Sequence, residues 1–233
     1  MTPDPLAALF AELGRLRELT RLEAELSLRG FSRIAGVDEA GRGSLAGPVV
    51  AAAVILPAGC VLPGLDDSKR VDAEGRARLE REIRGRAVAL GVGVVEARDI
   101  DSGDILRASL EAMRQAVGLL RPAPDVLLVD AVRVPGVSVP QLPVVHGDAL
   151  SASIAAASIV AKVHRDGLLD GLGRLNPVYG FEHHKGYGTP EHWEALKRYG
   201  PCQQHRLTFR GVVPEPGIEA SGPRAGRRRA RSG

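Results

Sequence analysis

Residues 31–56 read FSRIAGVDEAGRGSLAGPVVAAAVIL. Arg33 to Val37 has the makings of a short strand, and Pro48 to Leu56 is apolar throughout, as expected of a strand covered on both faces. Between them two adjacent acids, Asp38 and Glu39, lead into Ala40-Gly41-Arg42-Gly43, a sequence suited to a turn. The longest uncharged stretch, Gly43 to Leu65, has 23 residues, but Pro48, Pro57 and Pro63 with Gly47, Gly59 and Gly64 break it. A spanning helix needs about 20 mostly apolar residues. A buried strand is predicted, and no membrane partner.

Outward from this segment, strands and helices alternate. Leucines at 6, 9, 13, 16, 19, 22 and 26 have the spacing of one amphipathic helix over 5–29, ended by Gly30. Asp72 is placed to cap a helix running to Arg84. Ala87 to Ala97 reads as a strand, Asp104 to Leu120 as a helix, Asp125 to Val129 and Leu142 to His146 as strands. Leu150 to Leu169 is a long helix whose Ala155, Ala156, Ala157 and Ser158 permit close approach to a neighbour. Thr189 and Pro190 start a helix to Tyr199. The pattern is that of an α/β fold: a mixed β-sheet flanked by helices, with a helical C-terminal portion beyond Leu172.

The 233-residue chain has the apolar and charged fractions of an ordinary soluble domain. Its net charge of +3 comes from the end: five arginines between Arg224 and Arg231 leave the remainder at −2 without them. Basicity therefore says little about the body, and residues 211–233 are expected to be a disordered basic tail. Cys60 and Cys202 form no paired motif, and the start lacks a basic region followed by an apolar one, so a cytoplasmic setting is expected.

If the strands before Asp38 and Asp130 are parallel neighbours, both carboxylates emerge at one sheet edge, where open α/β sheets place ligands. Glu39 points away from Asp38 in a regular strand and joins it only if the chain turns there. Asp166, one turn beyond Lys162, adds a fourth acid on the edge of the long helix's buried face. Hard oxygen donors without an imidazole pair or thiolates suit Mg²⁺ or Mn²⁺ rather than zinc. Two such ions serve phosphodiester hydrolysis. An Asp after a strand is equally a turn residue, so position alone leaves both readings open. Asp66, Asp67, Asp99, Asp101 and Asp104 read as turn and cap residues.

The segments IAGVDEAGRGSLAGPVVAAAVIL, DDSKR, LLVDA, GDALSASIAAASIVAKVHRD and GFEHHKGYGTPEHWEALKRYGPCQQHR, in this order, resemble ribonuclease HII from about Ile34 to Phe209. The resemblance implies an RNase H-like fold over 31–210, with residues 1–30 as an N-terminal helical extension. It implies a metal-dependent endonuclease that cuts RNA in RNA–DNA hybrids and cuts duplex DNA 5′ of embedded ribonucleotides, leaving 3′-hydroxyl and 5′-phosphate ends. Asp38, Glu39, Asp130 and Asp166 match its catalytic, metal-holding acids, with Mn²⁺ or Mg²⁺ as cofactor. Gly41, Arg42 and Gly43 match its ribose-sensing element, and Tyr187 its sugar-stacking tyrosine.

Lys69 is a candidate phosphate contact. A monomer acting on RNA–DNA hybrid and ribonucleotide-containing duplex DNA is expected. The rivals are another nuclease of the same fold and a non-catalytic nucleic-acid-binding module. HRLTF, where HRRSF would be expected, removes one cation near the substrate path. Six of eight aromatics lie between Tyr179 and Phe209, among His183, His184, Lys185, Lys197, Arg198, His205 and Arg206. This segment reads either as a nucleic-acid surface or as a small aromatic core, with Phe181 and Trp193 assigned to the core and Tyr187 to the surface.

Overall fold

A computed structural model of the chain describes residues 4–213. Five strands form one sheet in the order β3-β2-β1-β4-β5: β1 (Ile34–Ala40), β2 (Val49–Ile55), β3 (Ala89–Val95), β4 (Val126–Asp130) and β5 (Gln141–Val144). β2 is antiparallel to β1 and β3, whereas β4 runs parallel to β1 and β5 parallel to β4. The mixed sheet is as predicted.

Each β2 residue is buried, because alternate side chains feed two cores. Val49, Ala51, Ala53 and Ile55 pack with Ala112, Met113 and Ala116, on the face covered by α5 (Ile105–Gly118). Val50, Ala52 and Val54 pack with Ala155, Ala156 and Ile159 of α7 (Ala152–Leu175). Each fully buried Val or Ile contributes roughly 1.5–3 kcal/mol. A β-carbon on Gly36 would overlap the α7 backbone at Ser153 and Ile154, so glycine there sets the helix-to-sheet distance.

On the flanks lie α1 (Pro5–Leu19), α2 (Arg21–Leu28), α3 (Ala73–Arg86), α4 (Ala97–Asp101), α6 (Gly147–Leu150), α8 (Phe181–His184) and α9 (Pro190–Tyr199), with a 3-10 turn over Pro177–Tyr179. The predicted caps are present: Asp72, Asp104 and Thr189 accept from the amides of Gly75, Arg107 and His192.

The structure corrects the single helix over 5–29. It divides at Thr20, whose hydroxyl donates back to the carbonyls of Leu16 and Arg17, competing with the helical ladder. Leu16 and Leu19 enter the core, while Leu6, Leu9 and Leu13 are exposed. These helices are docked: Arg15 donates to the Leu65 carbonyl at 2.7 Å, and Glu23 accepts from Ser151 Oγ and the Ser153 amide at the start of α7. At the other end Val212 is buried with Leu45 and Leu196, so the packed chain continues past 210. The rest of the predicted tail, 214–233, lies outside the described residues.

Candidate active site

β1 and β4 are parallel neighbours with Val37 opposite Val129, so Asp38 and Asp130 follow one another across the sheet. Both acids end up within strands, β1 running three residues and β4 one residue further than predicted. Asp38 shares the α7 face with Gly36. Its carboxylate accepts from its neighbour's amide, Glu39 N, at 2.7 Å and lies near Ser158 of α7, whose hydroxyl donates to that of Ser68 at 3.0 Å. Burial, then the charges of Glu39 and Asp130, push the Asp38 pKa well above the usual carboxylate range. Asp130 is held by the Gly147 amide at 2.8 Å.

Glu39 departs from expectation. β1 stays regular through Ala40, pairing Asp38 with Ala52 and Glu39 with Ala51, so alternation sends the two side chains off opposite sides of the strand, yet near enough for the charge of Glu39 to act on Asp38 and that of Asp130 on Glu39. Glu39 reaches Arg42 Nη1 at 3.2 Å instead of turning to join Asp38. Its pKa is raised by burial, opposed by Arg42, with Asp130 adding to the rise.

A further acid was missed. Asp148, on α6, is buried and is acted on by the charges of Asp67, Lys69 and Asp130. Its sequence signal was an acid in the short turn that follows β5. Lys69 Nζ lies 3.7 Å from both Asp148 and Asp67. Partial burial pulls the Lys69 pKa down, but Asp67, Asp148, Asp38 and Asp130 outweigh it and raise the value.

Asp166 is not brought into this group by any hydrogen bond; its carboxylate pairs with Lys162 at 2.7 Å. Among the described residues, no three His, Cys, Asp or Glu side chains form a ready-made metal cage. Asp38, Glu39 and Asp130 are instead mutually repelling, partly desolvated oxygen donors. That donor set, whose repulsion Arg42 and Lys69 offset only in part, fits a divalent cation.

Beside the acids, two fully buried arginines organise the 41–48 loop. Arg165 donates to the carbonyls of Ala46, Pro48 and Lys185; Arg206 donates to those of Arg42 and Gly47. Gly41 has φ +95°, and a β-carbon there would overlap Arg165. Gly43 faces open space, and the Arg42 side chain is exposed. The loop carrying Tyr187 lies against this one: Leu45 donates to the Gly186 carbonyl at 2.8 Å. The Tyr187 ring is partly exposed, with Lys162 Nζ 5.7 Å and Arg165 Cζ 5.5 Å from its centre.

The aromatic and histidine segment is mainly a core. Tyr179 and Phe181 stack at 5.3 Å, and His184, His192 and His205 are buried with them. Arg206, read as a surface cation, is buried where the carbonyls of Arg42 and Gly47 need donors that water cannot supply. Lys185 pairs with Asp170, and Trp193 packs partly buried beside Leu45 and Leu196. Asp101, read as a turn residue, holds the C-terminal segment by accepting from the amides of Leu207 and Thr208.

The family model of ribonuclease HII matches residues 35–212. The chain belongs to the ribonuclease HII family. It is 56% identical over 198 residues to ribonuclease HII of Geobacillus kaustophilus, covering 85% of this chain and 76% of the relative. It is 52% identical to that of Geobacter metallireducens, covering 88% and 95%. Among solved structures it resembles ribonuclease H2 from Pyrococcus horikoshii, with a TM-score of 0.65, 25% identity, and 76% and 94% of the two chains covered. The fold is shared more distantly with Bst-RNase HIII in complex with Mn²⁺, at TM-score 0.55, 20% identity, and 77% and 68% coverage.

Membership makes the chain an endonuclease of the ribonuclease H class, a divalent-metal-dependent phosphodiester hydrolase acting on RNA–DNA hybrids. Among the described residues, no helix is long and apolar enough to cross a membrane.

Proposed function

We propose that this ribonuclease HII cuts the RNA strand of hybrids and cuts duplex DNA on the 5′ side of an embedded ribonucleotide, leaving 3′-hydroxyl and 5′-phosphate ends. The single observation that carries the reading is the register that sets Asp38 beside Asp130 on adjacent parallel strands. Asp38, Glu39, Asp130 and Asp166 are the residues that would hold Mg²⁺ or Mn²⁺, with Asp166 recruited from its pair with Lys162. Bound there, the ions supply Lewis acidity for hydrolysis of a phosphodiester.

The rest is positioning by the chain itself. Gly41, Arg42 and Gly43 present a loop whose carbonyls are turned inward by Arg165 and Arg206, leaving its outer surface to a ribose. The 2′-hydroxyl, donor and acceptor at once, is what such a surface distinguishes. Arg42 and Lys69 are the cations assigned to flanking phosphates. Tyr187 is assigned to the sugar at the RNA–DNA junction. A monomer is assigned, and the free thiols of Cys60 and Cys202 fit the cytoplasm. The domain reading becomes one catalytic unit with docked N-terminal helices.

The test is cleavage of a DNA duplex containing one ribonucleotide, beside a long RNA–DNA hybrid, in Mg²⁺ and in Mn²⁺. Cutting of both, lost in Asp38→Asn, is expected. Cutting of the hybrid alone would remove the embedded-ribonucleotide reading, and a fully active Asp38→Asn would remove the metal assignment.

A further inference from the structure

His184, His192 and His205 are drawn from three separate segments into one buried cluster, and every ring nitrogen has a partner. The partners fix where the protons are. The Cys202 amide donates to His205 Nδ1 at 2.9 Å, so that nitrogen is bare, and the neutral ring carries its proton on Nε2. His205 Nε2 lies 3.0 Å from His192 Nε2, so His205 donates and His192 accepts. His192 then carries its proton on Nδ1, which donates to the Tyr187 carbonyl at 2.9 Å. That carbonyl cannot donate, so the assignment closes from both ends. His184 is fixed likewise: its Nδ1 accepts from the Gly186 amide at 3.2 Å, and its Nε2 donates to the Tyr179 carbonyl at 2.7 Å.

The arrangement tolerates one protonation pattern. A second proton on His205 would face the Cys202 amide, and a second on His192 would face the Nε2–H of His205. The relay therefore runs from the Cys202–His205 segment, through His192 of α9, to the backbone of the one tyrosine that overlooks the site. Gly186, φ +78°, is also pinned there, since a β-carbon would sit 2.5 Å from the Ala46 carbonyl.

We propose that His192 and His205 are positioning residues for substrate recognition: their neutral relay fixes the Tyr187 loop at the height where its ring meets the sugar. This rests on the reading of Tyr187 given above. Loss of the relay leaves the acids untouched, so binding suffers before turnover.

The probe is a DNA duplex with a single ribonucleotide, and the variants are His192→Leu, His192→Asn, Tyr187→Ala and the double variant. His192→Leu should raise KM about tenfold, roughly one interaction of 1.4 kcal/mol, with kcat within about twofold. His192→Asn, which keeps a donor near the Nδ1 position, should recover most of that loss. In Tyr187→Ala, the His192→Leu change should add nothing, as expected of residues acting as one unit. If Tyr187→Ala raises KM while His192→Leu adds to it in full, the relay proposal is overturned and the tyrosine reading stands. If Tyr187→Ala leaves KM unchanged, both fall. Nitrogen NMR of the wild-type chain at neutral pH gives a test independent of any variant. Nε2–H on His184 and His205 with Nδ1–H on His192 is expected, and any other pattern overturns the proposal.

Discussion

The space that a β-carbon of Gly41 would need is taken by the guanidinium of Arg165. Arg165 comes from α7, the same helix that supplies Ser158 to Asp38 and Asp166 to the proposed metal set. One helix therefore fixes both the acids and the loop assigned to the ribose.

Gly41→Ala is expected to disturb that loop on two counts, the left-handed φ and the lost room for Arg165. The strain alone is on the order of 1–3 kcal/mol. Differential scanning calorimetry should show a melting temperature several degrees lower, and cleavage at a single ribonucleotide should fall more than tenfold. A wild-type melt and rate would contradict the contact.

Asp38→Asn removes a carboxylate whose charged form is disfavoured by burial, Glu39 and Asp130. The folded state should be as stable as wild type or more so in metal-free buffer. Cleavage should fall at least about 10³-fold, since the Lewis-acid contribution is worth several kcal/mol. The two readouts move in opposite directions, which separates a lost ligand from a lost fold.

Metal addition supplies the complementary measurement. Mn²⁺ at a hundred times its dissociation constant should stabilise wild type by about 2.7 kcal/mol, and EDTA should abolish both the shift and the cleavage. An unshifted melt in wild type would dismiss the acidic set as a cation site.

His192 and His205 are each held at about 4, against 6.5 for an ordinary imidazole, chiefly by burial, with His184 repelling both and His192 repelling His205, and with the Tyr187 and Cys202 backbones opposing. The sign follows from where each state takes up protons. Below about 6.5 the unfolded chain binds them and the folded chain does not, so stability is full above that pH and declines as pH falls towards 4. The limiting slope is about 1.4 kcal/mol per pH unit for each ring. Urea midpoints measured from pH 7 to 4.5 should fall more steeply in wild type than in His205→Leu.

Glu23 caps α7 from outside, accepting from Ser151 Oγ at 2.5 Å and the Ser153 amide at 2.8 Å. Glu23→Ala should cost about 1–2 kcal/mol, seen as a melting temperature lower by a few degrees. No change would mean that the N-terminal helices are dispensable to the active-site helix.

Much of this was legible in the linear chain because the signals are local. The apolar run from Val49 to Ile55, the caps Asp72, Asp104 and Thr189, and the small residues of Ala155–Ser158 each state their conformation within a few positions. That Asp38 and Asp130 each follow a strand was legible too, whereas their parallel pairing was only a condition that the structure met. What tertiary packing alone decided were relations between distant residues. Local sequence does not say that Arg165 and Arg206 bury themselves to satisfy loop carbonyls, that Asp148 turns towards Lys69, or that Glu39 stays on the opposite face of β1 from Asp38. Nor does it say that His184, His192 and His205, from separate segments, are buried together in one core. Hydrophobic periodicity and turn chemistry act over one element at a time. The cost of an unpaired buried polar group, or of a charge without water, is defined only once the elements have closed around it.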